Sequence, residues 1–143
     1  MVRFVTSFSG RHFDVYAKKM LESVVEHWAD DLKLIVYYDT VTEEQKKEFP
    51  QSPIIEYRDL DQVEDRTKFL EKMKGYDGTS NGQMPYNFRM DALRFCHKVY
   101  ALTDYFLEIS ENEVRGGWLI WMDADVLTTS SLSEEILFEA FPK

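Results

Sequence analysis

Runs of hydrophobic residues along the chain predict where its buried elements lie. Apolar and β-branched residues dominate residues 2–9, 33–39 and 54–60, which predicts three buried strands. From Asp14 to Trp28 the apolar residues recur at helical spacing, and Asp14 stands where it would cap the helix. A strand, a helix and a second strand within about forty residues predict a βαβ unit, whose strands are parallel and joined by a right-handed crossover.

Short helices are predicted elsewhere from their capping residues. Thr42 precedes one that ends before Pro50, and Ser133 precedes another near the end of the sequence. Asp61 and Glu64 have the spacing of a capping box, which predicts a further helix after the third strand.

The longest helical pattern runs over residues 88–109. Its apolar residues share one face, and we expect that face to be buried. The residues of this face are Phe88, Ala92, Phe95, Cys96, Val99, Leu102 and Phe106. On the other side, Asp91, Arg94 and Lys98 have the spacing of an ion-paired face in contact with solvent. Residues 75–87, before this helix, contain three glycines, one proline and two asparagines, which predicts a loop, either a functional lid or a disordered connection.

One stretch combines a predicted buried strand with acidic residues at its end. Residues 118–122 are five large apolar residues in a row after Gly116 and Gly117, which is typical of a strand buried on both faces of a parallel sheet. Asp123 and Asp125 follow directly. Because side chains alternate along an extended chain, the two carboxylates point the same way, roughly 6–7 Å apart. Ligands collect outside the carboxyl ends of strands in open α/β sheets, so we expect a site here.

The spacing of these aspartates is a weak signal by itself. The chain has twelve aspartates and contains a second pair of this kind, Asp59 and Asp61, which we interpret as a strand end followed by a cap. Asp123 and Asp125 are also consistent with a solvated turn. As a metal site they would hold Mg²⁺ or Mn²⁺, with water and the phosphate oxygens of a ligand in the remaining positions. That alternative predicts a diphosphate site.

Other polar residues are more ambiguous. Asp39 follows the second strand, where nucleotide-binding folds often contact a ribose or a base, but a turn that leads into Thr40 is equally consistent with it. His12 and His97 have no metal-ligand spacing to other candidates, and we interpret both as structural or surface residues.

Composition limits the classes of function. The 143 residues are 44% hydrophobic and 15% aromatic, as expected for a single folded domain over residues 1–143. The formal net charge of −9 argues against nonspecific binding to nucleic acids or anionic membranes. Cys96 is the only cysteine, which excludes a disulfide framework. We find no stretch typical of a membrane span or a signal peptide, which predicts a cytoplasmic protein.

Three features in this order resemble the nucleotide-binding half of GT-A fold glycosyltransferases, which belong to the nucleotide-diphospho-sugar transferase superfamily. They are the first strand and loop in VRFVTSFSGRHFDVYAKKMLESV, the helix FRMDALRFCHKVYAL, and the strand WLIWMDADV with its DxD motif. The resemblance covers nearly all of the chain. It implies an α/β fold of the Rossmann-like three-layer αβα type, with a mostly parallel sheet of about four strands in which the DxD strand lies beside the first.

The resemblance also implies roles for individual residues. Asp123 and Asp125 would match the DxD motif, with Asp125 on a Mn²⁺ or Mg²⁺ ion and Asp123 shared between the metal and the ribose. The other implied donor-binding residues are Thr6, Ser7 and Phe8 in the first loop, Asp39 at the base or ribose, and Arg89 and Asp91 near the donor sugar and diphosphate. The implied donor is a UDP- or GDP-sugar, and the acceptor stays undefined.

The sequence departs from the family after the DxD strand. Only 17 residues follow Val126, where GT-A domains continue with the elements that bind the acceptor. The resemblance therefore implies the donor-binding half without the acceptor half. Three functions stay open: glycosyl transfer, non-catalytic binding of a sugar nucleotide and, less favoured, sugar-phosphate nucleotidyl transfer. An exposed sheet edge at Trp118, Ile120 and Met122 would favour association, which predicts a homodimer or a partner chain on that edge.

Overall fold

A computed structural model describes the chain over residues 1–109 and 117–141. The strands are β1 (Val2–Ser9), β2 (Leu32–Asp39), β3 (Ile55–Asp59) and β4 (Trp118–Trp121). The α-helices are α1 (Lys18–His27), α2 (Glu43–Lys47), α3 (Glu64–Lys72), α4 (Ala92–Glu108) and α5 (Glu134–Ala140). Gly116, half of the glycine pair before β4, lies outside the described residues.

The described strands form a parallel sheet in the order β3-β2-β1-β4. β1 pairs with β2 along its whole length, from Val2 with Leu32 to Ser9 with Asp39. β4 pairs only with the first half of β1 and ends opposite Val5. The α/β class, the parallel βαβ unit and the position of the DxD strand beside β1 are therefore confirmed. Because the strands are parallel, their carboxyl ends meet at one edge of the sheet.

Helices cover both faces of this sheet. On one face, Met20 of α1 and Leu137 of α5 share an apolar core with Phe4 of β1. On the other face, Tyr105 of α4 packs in a second core with Val5 of β1. These two apolar layers produce the predicted Rossmann-like three-layer arrangement. No helix in residues 1–109 and 117–141 combines the length and apolar character that crossing a membrane requires.

Two predicted helix caps are wrong. Asp14 does not cap the first helix, because a 3₁₀ turn over Gly10–His12 and a π-helical turn over Phe13–Ala17 precede α1. Asp61 does not cap α3, because its carboxylate is bound by Arg66. Both errors arise where the chain leaves a strand through an irregular turn, which hydrophobic spacing does not report.

Three other helices begin at a side-chain cap. Thr42 and Ser133 cap α2 and α5 as predicted. Asp91 caps α4 by accepting a hydrogen bond from Arg94 N, and Phe88–Met90 form a separate 3₁₀ turn. The longest helix therefore begins four residues later than its apolar pattern suggested.

Helix α4 buries a different face from the one predicted. The residues that it buries most deeply are Cys96, Ala101 and Tyr105, each at most 5% exposed. Cys96 is thus buried as expected. The apolar residues of the predicted face that stay about half exposed are Phe88, Phe95, Val99 and Phe106. This helix carries two apolar stripes, and only one of them contacts the sheet.

β4 is an edge strand, which corrects the prediction that it is buried on both faces. Its residues Trp118–Trp121 are all half-buried, because within residues 1–109 and 117–141 the strand pairs with β1 alone. Trp118 packs edge-to-face on Phe138, with ring centroids 4.9 Å apart. Met122, which was expected on the exposed edge, is only 8% exposed.

A homodimer through this edge stays a prediction, and α4 supplies a way to test it. Phe106 of α4 lines a small cavity together with Trp118 of β4, so the exposed stripe of Phe106 and Val99 adjoins the edge strand. We expect a dimer at micromolar concentration in size-exclusion chromatography with light scattering. Val99→Glu should weaken it at least tenfold, because it places a charge in an apolar contact. Val25→Glu on α1 is the matched control, and a monomeric wild-type chain would contradict the prediction.

Candidate functional site

A cleft of about 780 Å³ opens at the carboxyl ends of the strands. Its lining includes Ser7–Ser9 at the end of β1, Asp39 and Thr40 at the end of β2, and Asp123–Asp125 after β4. Small-molecule sites typically have volumes of about 300–1,000 Å³. The cleft therefore has the size of a ligand site and lies where parallel α/β sheets bind ligands.

Asp123 and Asp125 both line this cleft, and both are exposed to solvent. The Trp121 indole donates a hydrogen bond to Asp123 Oδ1 at 2.5 Å, which orients that carboxylate. Tyr16 also lines the cleft, where burial raises the pKa of its hydroxyl and the negative charge of Asp125 adds to the effect. The two acids are thus accessible to a ligand, and their role in binding one stays a prediction.

A buried ion cluster beneath the cleft is centred on Arg66 of α3, which is 4% exposed. The guanidinium donates hydrogen bonds to Asp39 Oδ2 at 2.9 Å, to Asp61 Oδ1 at 2.6 Å and to His97 Nδ1 at 3.1 Å. A buried guanidinium needs several acceptors because a charge removed from water without partners is costly. Arg66 therefore connects the end of β2 to α4 beneath the cleft.

Asp39 and His97 present opposite hydrogen-bonding groups to the cleft. His97 Nδ1 accepts from Arg66, so a neutral His97 carries its proton on Nε2, which lies 3.6 Å from Asp39 Oδ2. Burial lowers the pKa of His97, although the Asp39 carboxylate opposes this shift. Burial likewise raises the pKa of Asp39, with His97 and Arg66 in opposition. A carboxylate acceptor and an N–H donor therefore stand side by side in the lining of the cleft.

The turns that follow β1 place two rings on the wall of the cleft. The His12 and Tyr16 rings are stacked, with centroids 5.1 Å apart and planes 18° from parallel. His12 Nδ1 also lies 3.2 Å from Ser9 Oγ. Burial lowers the pKa of His12, and the positive charges of Arg11 and Arg94 add to the effect. The sequence did not reveal this pair, because the stacking depends on the irregular 3₁₀ and π-helical turns.

Asp91, Arg94 and Lys98 line the cleft, which corrects their interpretation as an ordinary solvent-facing side of α4. Asp91 Oδ2 accepts a hydrogen bond from the Tyr86 hydroxyl at 3.0 Å, and Arg94 donates to the same hydroxyl at 3.4 Å. Lys98 Nζ lies 5.0 Å from the centre of the Trp121 ring. The rotation of α4 on the sheet therefore brings two cations to the same cleft as Asp123.

Two of the predicted donor-binding residues do not line the cleft. Thr6 is fully buried in β1, and its hydroxyl has no hydrogen-bond partner within the described residues. Arg89 is exposed on the 3₁₀ turn before α4, with its guanidinium 5.7 Å from the centre of the Phe88 ring. Of the remaining predicted residues, those that line the cleft are Ser7, Phe8, Asp39, Asp91, Asp123 and Asp125.

Asp123 and Asp125 would provide two protein ligands for a metal ion. Within residues 1–109 and 117–141, no three His, Cys, Asp or Glu side chains are grouped as a metal site. Mg²⁺ commonly binds through one or two carboxylates and fills its other positions with water and substrate phosphates. The exposed carboxylates of Asp123 and Asp125 fit this type of site.

No protein-family model matches the chain, and a comparison with curated proteins found no significant match. The functional interpretation therefore depends on the residues of the cleft and their chemistry.

Proposed function

We propose that the protein is of the glycosyltransferase type and binds a nucleoside-diphosphate sugar in the cleft, together with Mn²⁺ or Mg²⁺ held by Asp123 and Asp125. One observation carries this proposal. The exposed aspartates share the cleft with three cations, Arg11, Arg94 and Lys98, at the carboxyl ends of parallel strands. Acidic and basic side chains in one cleft suit a ligand that brings both a metal ion and phosphates.

The charges in the cleft support a diphosphate in particular. A divalent cation neutralises the two carboxylates of Asp123 and Asp125, and it leaves the negative charge of the diphosphate to be compensated. Arg94 and Lys98 provide that positive charge from the rigid helix α4. Without these cations, a chain of net charge −9 would repel such a ligand.

The polar groups beside Asp39 suit the nucleoside end of the ligand. Asp39 would accept a hydrogen bond from a ribose hydroxyl or a base N–H, and His97 Nε2 would donate one. Arg66 fixes both groups, because it binds Asp39 and His97 at the same time. The nucleoside would therefore lie near the end of β2, with the phosphates toward β4 and α4.

For sugar transfer, the same residues would stabilise the departing nucleoside diphosphate. A bound metal ion would offset the negative charge that develops on this leaving group. Arg94 and Lys98 would add positive charge that is already in place before the reaction, so little reorganisation is needed.

Isothermal titration with UDP and GDP, with and without Mn²⁺, tests the binding proposal. We expect metal-dependent binding that weakens at least tenfold in Asp125→Ala, since the variant loses one of two protein ligands (~1.4 kcal/mol). Asp30→Ala removes an exposed aspartate outside the cleft lining and is the matched control. Binding that is independent of both the metal and Asp125 would contradict the proposed site, as would an absence of binding.

A second measurement separates the enzyme from a binding module. Release of labelled sugar from UDP- or GDP-sugars in Mn²⁺, to water or to added acceptors, is expected only of a transferase. Metal-dependent nucleotide binding without any turnover would instead favour a non-catalytic sugar-nucleotide module.

A further inference from the structure

The segment between α3 and α4 forms a closed loop, although it contains no α-helix or strand and only the short 3₁₀ turn Phe88–Met90. Leu93 N donates to Tyr76 O at 3.3 Å, and a single β-bridge joins Asp77 to Asp91, so the two ends of the loop meet. Inside it, Asn87 N donates to Gly78 O at 2.7 Å. We call residues 72–91 the α3–α4 loop, counting from the end of α3. Its base is fixed at the cleft, because Asp77 and Asp91 also line it.

The tip of the α3–α4 loop is apolar and protrudes. All ten residues of 81–90 are exposed, so this part of the chain stands out from the surface. The large apolar side chains that the loop exposes are Tyr76, Met84, Tyr86, Phe88 and Met90, each 44–55% exposed. Exposed apolar residues scattered singly need no explanation, but a group on one loop marks an interaction surface.

The loop is also basic in an acidic protein. Residues 72–91 contain three Lys and Arg and two Asp, a net charge of +1, while the remaining residues sum to −10. The two aspartates are engaged within the loop: Asp77 accepts hydrogen bonds from Thr79, and Asp91 from Tyr86. Lys72, Lys74 and Arg89 are all exposed. The sign of the local charge is therefore opposite to that of the whole protein.

We propose that the α3–α4 loop binds the surface of an anionic lipid bilayer. Tyr and Phe rings and Met side chains favour the interface between headgroups and acyl chains, and Lys and Arg bind the anionic headgroups. Stable attachment to a membrane surface generally needs both an apolar and a basic contribution, and this loop supplies both. Acidic residues farther than about 8–10 Å from the loop oppose it little, because their charges are largely screened at physiological salt.

The composition of the loop favours a lipid surface over a nucleic acid. Lys72, Lys74 and Arg89 would contact few phosphates, and the strength of nonspecific nucleic-acid binding grows with the number of such contacts. The rings of Tyr86 and Phe88 would stack on a base, but the exposed Met84 and Met90 beside them suit insertion among lipids better than base stacking. Docking of the loop would hold the adjacent cleft close to the bilayer.

Flotation with lipid vesicles tests this proposal on the complete chain. We expect binding to vesicles that contain phosphatidylglycerol, weak binding to pure phosphatidylcholine vesicles, and loss of binding as salt is raised. The double variant Lys74→Glu with Arg89→Glu should bind at least tenfold more weakly. Its matched control is Lys19→Glu with Lys47→Glu, which makes the same change of charge at exposed positions elsewhere.

The apolar contribution is tested separately. Met84→Ser with Phe88→Ser should also weaken binding at least tenfold, whereas Val15→Ser with Leu107→Ser, at positions 67% and 76% exposed, should not. Unchanged circular dichroism would show that each variant is folded. Equal binding to neutral and anionic vesicles, binding unaffected by the loop variants, or no binding would overturn the proposal. Binding of the chain to a single-stranded oligonucleotide but not to vesicles would also overturn the proposal.

Discussion

The Arg66→Met variant should lose about 3–5 kcal/mol of its free energy of unfolding, because breaking a buried ion pair leaves the partner charge unpaired. Arg66 is 4% exposed, and its partner Asp39 is 6% exposed. Methionine fills a similar volume but donates no hydrogen bond to Asp39, Asp61 or His97. Since domains of this kind are stable by about 5–15 kcal/mol, the loss would be a large fraction of the total.

Urea unfolding followed by tryptophan fluorescence measures this loss. Lys68→Met, on the same helix, is the control, because Lys68 is 65% exposed and its salt bridge is with the exposed Glu64. Adding Asp39→Asn to Arg66→Met should cost at least ~1 kcal/mol less than the sum of the two single changes, because neither partner is then left charged and alone. If Arg66→Met alone lost less than about 1 kcal/mol of its free energy of unfolding, the cluster would not stabilise the fold.

The Gly10→Ala variant should lose about 1–3 kcal/mol, because its added methyl group would meet fixed backbone. A Cβ on Gly10 would lie 2.2 Å from Thr40 O and 3.0 Å from Gln45 Oε1. The approach is close because the preceding residues, Ser9 and Asp39, are paired across β1 and β2, and because Gln45 Nε2 donates to Gly10 O at 2.9 Å. To relieve this close contact, the turn after β1 or the end of β2 would have to move. Thr40, at the end of β2, already has the unusual φ of 49°.

Urea unfolding also tests this prediction, with Gly75→Ala as the matched control. A Cβ on Gly75 would come no closer than 3.4 Å to a neighbour, the side chain of Asn81. Because Ser9, Arg11 and Thr40 line the cleft, the Gly10 variant should also bind nucleotide more weakly if the proposed function is correct. Equal stability of the two variants would mean that the turn accommodates the methyl group.

The elements of the sheet could largely be predicted from the sequence. β1 has the predicted bounds, β2 differs by one residue at its start and β3 by one residue at each end, because a run of apolar residues marks a buried strand wherever it occurs. Asp123 and Asp125 could also be placed at the cleft, because the carboxyl ends of parallel strands share one edge. To predict their position, it was enough to know where the strand lies in the sequence and in which direction it runs.

The orientation of α4 could not be predicted in the same way. Its apolar residues lie on two stripes, and periodicity does not say which of them contacts the sheet. The structure buries the stripe with Ala101 and Tyr105, which turns Arg94 and Lys98 toward the cleft. Those cations had the spacing of an ordinary solvent-facing side, so no local signal identified them.

The net charge of the chain likewise did not predict how charges are distributed over its surface. A net charge of −9 predicts that the chain avoids anionic surfaces, yet residues 72–91 have a net charge of +1. A sum over the chain does not show which charges are exposed together. The α3–α4 loop collects its cations beside exposed apolar residues because its ends are tied at the cleft.

The sequence by itself determined the fold class, the parallel βαβ unit and the acidic end of β4, because these depend on residues within a few positions of one another. Tertiary structure alone decided the floor and walls of the cleft. Arg66 meets Asp39 and His97 across separations of 27 and 31 residues. Such contacts arise only when α3 and α4 pack on the same face of the sheet, and packing of that kind leaves no periodic pattern in the chain.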